Sequence, residues 1–197
     1  KALQEQLFDK DLPLLQEIWP EDFPAVLLKG RRNYLCKARF EEMLYNPRFR
    51  TPTDARHWPD IQGWGIKTPT GDRAEVPGLP DDWATWTDLS MNAEGCKGSK
   101  CKHYEGCFVT LARRRAQEAD IIVVNHHLFF ADLALRQSGF AEILPEFDAV
   151  IFDEAHHLEQ IASSYFGNKV SNFRVSELLA DVRNAMREEA VTDEEIE

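Results

Sequence analysis

No stretch of this sequence comes near the ~18 consecutive apolar residues of a membrane-spanning helix, and no leader of a secreted protein is visible. Cysteine is scarce. Four residues in 197 (Cys36, Cys96, Cys101 and Cys107) are too few for a disulfide scaffold. Neither His-Glu-x-x-His nor its inverse occurs, which excludes the usual zinc-protease signatures. No internal repeat and no low-complexity segment is present. Residue 1 is Lys and sits inside an amphipathic pattern, so the sequence reads as an excised piece of a longer protein.

Apolar residues are not lacking. At 43% they suffice for a core and argue against disorder. The net charge of −11 is unevenly spread. From Lys29 to Arg50 seven bases (Lys29, Arg31, Arg32, Lys37, Arg39, Arg48, Arg50) face only Glu41 and Glu42, a net of +5. From Lys97 to Arg115 six bases face Glu105, again +5, whereas the chain from Ala141 onward carries −10. A single basic run is ordinarily a solvated face. Two runs that both flank cysteines point to a polyanion surface. The acidic end, Arg187–Glu197, reads as a solvated helix end.

Apolar spacing predicts a helix over 1–18 (Leu3, Leu7, Leu14, Leu15, Ile18), interrupted at Pro13. A short strand is expected at Ala25–Leu28, and a helix over Asn33–Leu44 with Asn33 as its cap. Residues 46–95 hold six prolines and four of the five Trp, the mark of an insertion built from turns and short helices. Further expectations are a helix at Phe108–Ala119, a strand at Ile121–Val124, a helix at His127–Arg136, a strand at Phe147–Phe152 and helix over much of Ser163–Glu189. In that last segment Ser176 lies near the start of an apolar series of Val175, Leu178, Leu179, Val182 and Met186.

The apolar run Ala149–Phe152 leads directly into Asp153-Glu154-Ala155-His156. Near-continuous apolar strands belong to covered parallel sheets, and ligands bind beyond the carboxyl ends of such strands. Adjacent carboxylates there suit nucleotide hydrolysis: one holds a hydrated Mg²⁺, the other orients or deprotonates water. The plainer reading is an acidic cap of the next helix. Gly-x-x-x-x-Gly-Lys-Ser/Thr is absent, so this stretch has no phosphate cradle of its own. Either the nucleotide reading fails or that loop precedes Lys1, as the incomplete first helix suggests.

The cysteines are spaced as one distant residue, Cys36, and a loose trio, Cys96, Cys101 and Cys107. Structural zinc prefers tight pairs, whereas loose spacing suits an iron–sulfur cluster on four thiolates; four reduced structural thiols are the plain alternative. Gly95, Gly98 and Gly106 would let the backbone wrap closely, and His103 is a bystander. Arg31, Arg32, Tyr34 and Lys37 combine phosphate-binding charge with an aromatic face for single-stranded nucleic acid, although Tyr34 suits the core equally. Tyr104 sits near the trio, and Trp58, Trp64, Trp83 and Trp86 read as the insertion's core. His126 or His127 either supports the site or caps the next helix.

Lys29-Gly30-Arg31-Arg32-Asn33-Tyr34-Leu35-Cys36, the cysteine trio, Val123-Val124-Asn125-His126-His127-Leu128 and Asp153-Glu154-Ala155-His156 follow one another in one order. Together they resemble the XPD/DinG family of iron–sulfur DNA helicases of superfamily 2, most like its bacterial YoaA branch. The resemblance implies an α/β fold: part of a RecA-like parallel-sheet motor domain with an inserted iron–sulfur domain and the start of a helical arch domain. It divides the chain into 1–28 (motor, with Leu3–Phe8 like a DNA-contacting motif), 29–115 (cluster insertion), 116–160 (motor with the DEAH box) and 161–197 (arch). It implies a [4Fe–4S] cluster on Cys36, Cys96, Cys101 and Cys107, Mg²⁺ on Asp153, water activation by Glu154, and coupling of the ATP and DNA sites by His156. The implied activity is ATP-driven 5′→3′ movement on single-stranded or forked DNA, in repair or replication, by a cytoplasmic, nucleoid-associated protein with no membrane partner. Replication or repair proteins are the implied further partners. This stretch alone, lacking the cradle, is expected to be inactive. The other classes considered are an iron–sulfur nuclease, whose Glu-x-Lys follows neither strand, and a metal-dependent DNA-binding module, which leaves Asp153–His156 unused.

Overall fold

Pro13 has no N–H, and its ring collides with the carbonyl four residues back, so the N-terminal segment cannot run as one regular helix. In the computed structural model, which describes residues 3–93, 95–137, 139 and 142–167, the chain resolves this with a change of register. Helix α1 (Leu3–Gln6) widens into a π-helical turn, Leu7–Asp11, and α2 (Leu12–Ile18) restarts with Pro13 in its first turn. The N–H of Leu12 reaches back to the carbonyl of Leu7, and that longer step absorbs the proline.

The chain forms two compact units, Lys1–Phe152 and Asp153–Glu197. In the first, β1 (Ala25–Leu27) and β2 (Ile121–Val123) pair in parallel, with Ala25, Val26 and Leu27 opposite Ile121, Ile122 and Val123. The N–H of Leu28 extends the pairing to Val123 O at 3.0 Å. Parallel neighbours require a crossover connection, and here the whole cysteine-bearing segment provides it. The remaining helices of this unit are α3 (Lys37–Tyr45), α4 (Trp58–Lys67), α5 (Trp86–Leu89), α6 (Phe108–Gln117) and α7 (His126–Gln137).

The crossover has its own core. Ile61, Leu89, Trp83, Trp86, Phe40 and Met43 are buried, and Trp58 and Trp64 half-buried. Asp54 is buried among them, accepting from both Oγ1 (2.5 Å) and N–H (3.1 Å) of Thr85. Gly71 adopts φ +67, and a Cβ there would lie 2.2 Å from the Phe108 ring. Only glycine permits that approach, which leaves Gly71 O free to accept from Leu35 N.

Two expectations change. Asn33 does not cap a helix over Asn33–Leu44. Residues Arg31–Asn33 form a 3₁₀ turn, Tyr34–Cys36 run extended, and α3 begins at Lys37. The reason is cross-linking: Tyr34 bridges to Asp72, Leu35 N donates to Gly71 O, and Cys36 N donates to Leu89 O. Phe147–Phe152 is not a strand. A strand is defined by a paired neighbour, and among the described residues no third strand lies beside it. Ile151 is accordingly 96% exposed, while Phe152 and Phe147 turn onto Phe129 at 5.1 and 5.9 Å.

The described part of the second unit is the turn Asp153–His157 followed by α8 (Leu158–Phe166). Most of the helix expected over Ser163–Glu189, with Val175, Ser176, Leu178, Leu179, Val182 and Met186, lies outside the described residues. Among the described residues, no helix is long and apolar enough to cross a membrane.

Candidate functional site

The extended link that ends at Cys36 delivers that residue to the start of α3, where its carbonyl accepts the N–H of Phe40 at 2.8 Å. Cys107 holds the same position on α6, its carbonyl accepting from Leu111 N at 2.9 Å. Between them a chain of tight turns places Cys96 and Cys101: Cys101 N donates to Gly98 O (3.0 Å), Tyr104 N to Cys101 O (2.9 Å) and Cys107 N to Tyr104 O (3.2 Å). All four cysteines are free, half-buried, and line one cavity of about 500 Å³. Two helix N-termini, each with partial positive charge, lie at this cavity.

Cations surround the same space. Arg31, Lys37, Arg113 and Arg114 line it. Arg31 Nη1 donates to Cys96 Sγ at 3.0 Å, and Gly98 N donates to the same sulfur at 3.4 Å. Burial pushes the Arg113 guanidinium below its ordinary value, and nearby Arg31 adds to this, while Cys96 pulls the other way. Burial pushes the Cys36 thiol up, against the N–H groups of Arg39 and Ala38 that favour its thiolate. Among the described residues, no three His, Cys, Asp or Glu side chains are gathered closely enough to hold a single metal ion.

The sequence-selected basic residues part company here. Arg31 and Lys37 are drawn into the cavity, with Lys37 Nζ 4.5 Å from the Phe108 ring centre. Arg32 is exposed, and its carbonyl accepts from Trp86 Nε1. Tyr34 is 4% exposed and its hydroxyl accepts from Lys29 N, so its ring belongs to the core and offers no face to a base. His103 lies 3.1 Å from Glu41, beside Lys102. Asn125, rather than either histidine, caps α7, its Oδ1 accepting from Leu128 N at 2.7 Å. His126 stacks on Phe152 with ring centres 6.0 Å apart.

Sequence reasoning missed several residues. Lys29 is held between Glu5 (2.9 Å) and Asp72 (2.7 Å), joining the first helical segment, the end of β1 and the crossover. Burial alone would lower its pKa, but the bonds to Asp72 and Glu5 outweigh that and raise it. Arg113 lies six positions beyond Cys107 in α6, and only its charge within an amphipathic helix hinted at a role. Asp132 and Arg136 are a helical i,i+4 pair whose carboxylate is fully buried. The signal was an acid within the apolar face of α7.

In the second unit, Asp153, Glu154 and His156 are exposed on a turn. Glu154 sits at φ 48, the left-handed region that costs a non-glycine residue roughly 1–2 kcal/mol. The turn is closed by Glu154 N donating to Asp153 Oδ1 at 2.9 Å and His157 N to Glu154 O at 3.0 Å. His156 Nδ1 lies 3.2 Å from Glu154 Oε2. Two carboxylates and an imidazole thus share one strained corner before a helix, an arrangement of the kind that accumulates at functional sites.

A family model described as DEAD_2 matches residues 84–175. The chain is 39% identical over 189 residues to the ATP-dependent DNA helicase YoaA of Haemophilus influenzae, covering 96% of this chain and 30% of that protein. The same figures hold for the ATP-dependent DNA helicase YoaA of Escherichia coli K12. The protein named 3′-5′ exonuclease DinG of Bacillus subtilis is 32% identical over 172 residues, covering 86% of this chain and 18% of that protein. The chain therefore spans 30% of the length of the YoaA relatives.

Proposed function

Since the chain belongs to the DinG/XPD family of helicases, on its YoaA branch, we propose that it is the part of an ATP-dependent DNA helicase that carries an iron–sulfur cluster and the DEAH box. The observation that carries this reading is the meeting of Cys36, from far upstream, with Cys96, Cys101 and Cys107 around one cavity. A tetrahedral zinc site needs its sulfurs ~2.3 Å from one ion, and among the described residues no three such side chains gather that closely, whereas a cluster is held by more widely separated thiols. A [4Fe–4S] cluster fits the four thiols, the N–H···S bonds to Cys96 and the surrounding cations. In this reading residues 29–115 are the cluster insertion, 1–28 and 116–160 belong to the first motor domain, and 161–197 begin the arch.

Asp153 is then the Mg²⁺ ligand, Glu154 orients and deprotonates the attacking water, and His156, beside Glu154, couples the nucleotide site to DNA. Bound Mg²⁺ would neutralise charge on the transferred phosphate. Single-stranded or forked DNA, ATP and a 5′→3′ direction complete the reading, with repair or replication as its setting. Arg32, the exposed member of the first basic run, is the foremost DNA contact. The test is anaerobic purification followed by iron and sulfide analysis and a visible absorption spectrum. About four irons and four sulfides per chain, with blue-violet charge-transfer absorbance, support the cluster; zinc alone would refute it. In the intact helicase, DNA-stimulated phosphate release that disappears on Glu154→Gln supports the motor.

A further inference from the structure

We propose that Asp132 and Arg136 of α7 are a positioning pair that holds the loop Glu142–Pro145 in place as one wall of the cysteine cavity, and so sets how readily reagents in solvent reach the four sulfurs. As it concerns a bound cluster, the proposal rests on the iron–sulfur reading above; as it concerns the thiols, it stands without it.

Asp132 is 0% exposed. Its Oδ1 accepts from the N–H groups of Ile143 (2.6 Å) and Leu144 (2.9 Å), and its Oδ2 accepts from Arg136 Nε (2.6 Å). Arg136 Nη2 donates to the carbonyls of Leu144 (2.7 Å) and Pro145 (3.1 Å), and Nη1 lies 3.3 Å from Glu142 Oε2. One i,i+4 pair therefore ties all four residues of a loop that forms no strand and no helix. These same four residues line the cavity with Cys36, Cys96, Cys101 and Cys107.

A buried carboxylate is costly unless it is paired and hydrogen-bonded, and an apolar residue would pack here without that cost. The neighbours Leu128, Phe129 and Phe130 are buried and apolar, so this face of α7 would hold together without the acid. What an apolar residue could not do is fix the backbone of Glu142–Pro145 through its own N–H and C=O groups. Cysteine oxidation and the properties of iron–sulfur clusters both follow solvent access. A wall held by charge-assisted bonds is thus a control on that access, and it is built on the helix that leaves the end of β2.

The test uses the anaerobically purified protein with Asp132→Asn, and Arg136→Lys as a gentler second variant that keeps the charge but loses the fork to two carbonyls. Iron and sulfide at isolation should match wild type, because all four ligands remain. Bleaching of the charge-transfer band by ferricyanide with a chelator should accelerate at least about tenfold in Asp132→Asn, the opening expected from losing a charge-assisted hydrogen bond. Arg136→Lys should fall between. If wild type holds no iron, the cluster reading fails separately, and alkylation of the four thiols by iodoacetamide replaces the bleaching rate, with the same ordering expected. Unchanged rates in a folded variant, even with a lowered melting temperature, would overturn the proposal and leave the pair a structural one.

Discussion

The guanidinium of Arg31 donates to the sulfur of Cys96 across 3.0 Å, joining residues 65 apart in sequence, while its neighbour Arg32 is exposed. Adjacent bases in one basic run therefore serve different ends. Arg32→Ala should lower the slope of log affinity for single-stranded DNA against log salt by ~0.7, the release from one phosphate. Arg31→Ala should leave the slope nearly unchanged but hasten loss of iron. Titrations at several salt concentrations, with iron content followed over time, check both; equal slopes in the two variants would refute the division.

Cys36 is the proposed ligand that sequence spacing isolates and the fold brings to the cavity of the other three cysteines. Cys36→Ser should lose iron and sulfide and destabilise the segment from Lys29 to Arg115, because metal binding energy is folding energy in such modules. Elemental analysis with limited proteolysis reads both effects. Full cluster content in the variant would remove Cys36 from the ligand set.

Lys29 provides a separate test of the fold. With one carboxylate on either side, at 2.9 and 2.7 Å, Lys29→Met removes the ammonium that Glu5 and Asp72 share. Breaking a buried pair of this kind costs about 3 kcal/mol. Urea unfolding at neutral pH should show that loss. The further change Asp72→Asn should restore part of it, since it removes one of the two carboxylates that Lys29 pairs.

These residues also mark what the sequence could convey. Elements with a local cause were legible: the break at Pro13, the β-branched run Ile121–Val123, the amphipathic α6, and the burial of Trp83 and Trp86. The cysteine set was legible as a pattern, though not the cavity's remaining walls. Arg113 and Glu142–Pro145 reach it through packing across the chain, which no local periodicity encodes. Tyr34 suited either stacking or core, and its place was decided by a hydroxyl contact to the Lys29 backbone. Phe147–Phe152 carried the composition of a strand, but composition supplies no partner, and pairing makes the strand.

Asp54 predicts the acid response. The Thr85 hydroxyl foremost, against the effect of burial, and then Thr51 hold its carboxyl below the ordinary value of 3.8. A depressed native pKa contributes stability that is present above the unfolded value and is lost as pH falls through the native one. Glu75 and Asp88 are shifted in the same direction. The protein should therefore lose stability below about pH 4, and Asp54→Asn should be less stable at pH 7 with a shallower acid limb. Thermal melts from pH 7 to 3 check the sign; an acid limb as steep as wild type's would mean that Asp54 contributes nothing to it.

The strained corner at Glu154 makes the chemical prediction. In the intact protein, if it is the helicase proposed, Glu154→Gln keeps the side chain's size and much of its hydrogen bonding but cannot accept a proton from water. Nucleotide affinity should stay near wild type while turnover falls by ~10²–10⁴, the usual cost of losing a general base. With Asp153 as the proposed Mg²⁺ ligand, Asp153→Asn should also lose turnover, with weaker Mg²⁺-dependent binding, because it would remove the metal's negative partner and alters the acceptor for Glu154 N. Glu154→Gly separates strain from chemistry. Glycine accepts φ 48 without penalty, so the turn before α8 should be preserved or slightly stabilised while turnover is lost. Phosphate release with single-stranded DNA, paired with nucleotide binding at fixed Mg²⁺, distinguishes the three variants. Wild-type turnover in Glu154→Gln would overturn its assignment as the base. Weakened nucleotide binding in that variant, equal to that of Asp153→Asn, would place Glu154 on the metal instead.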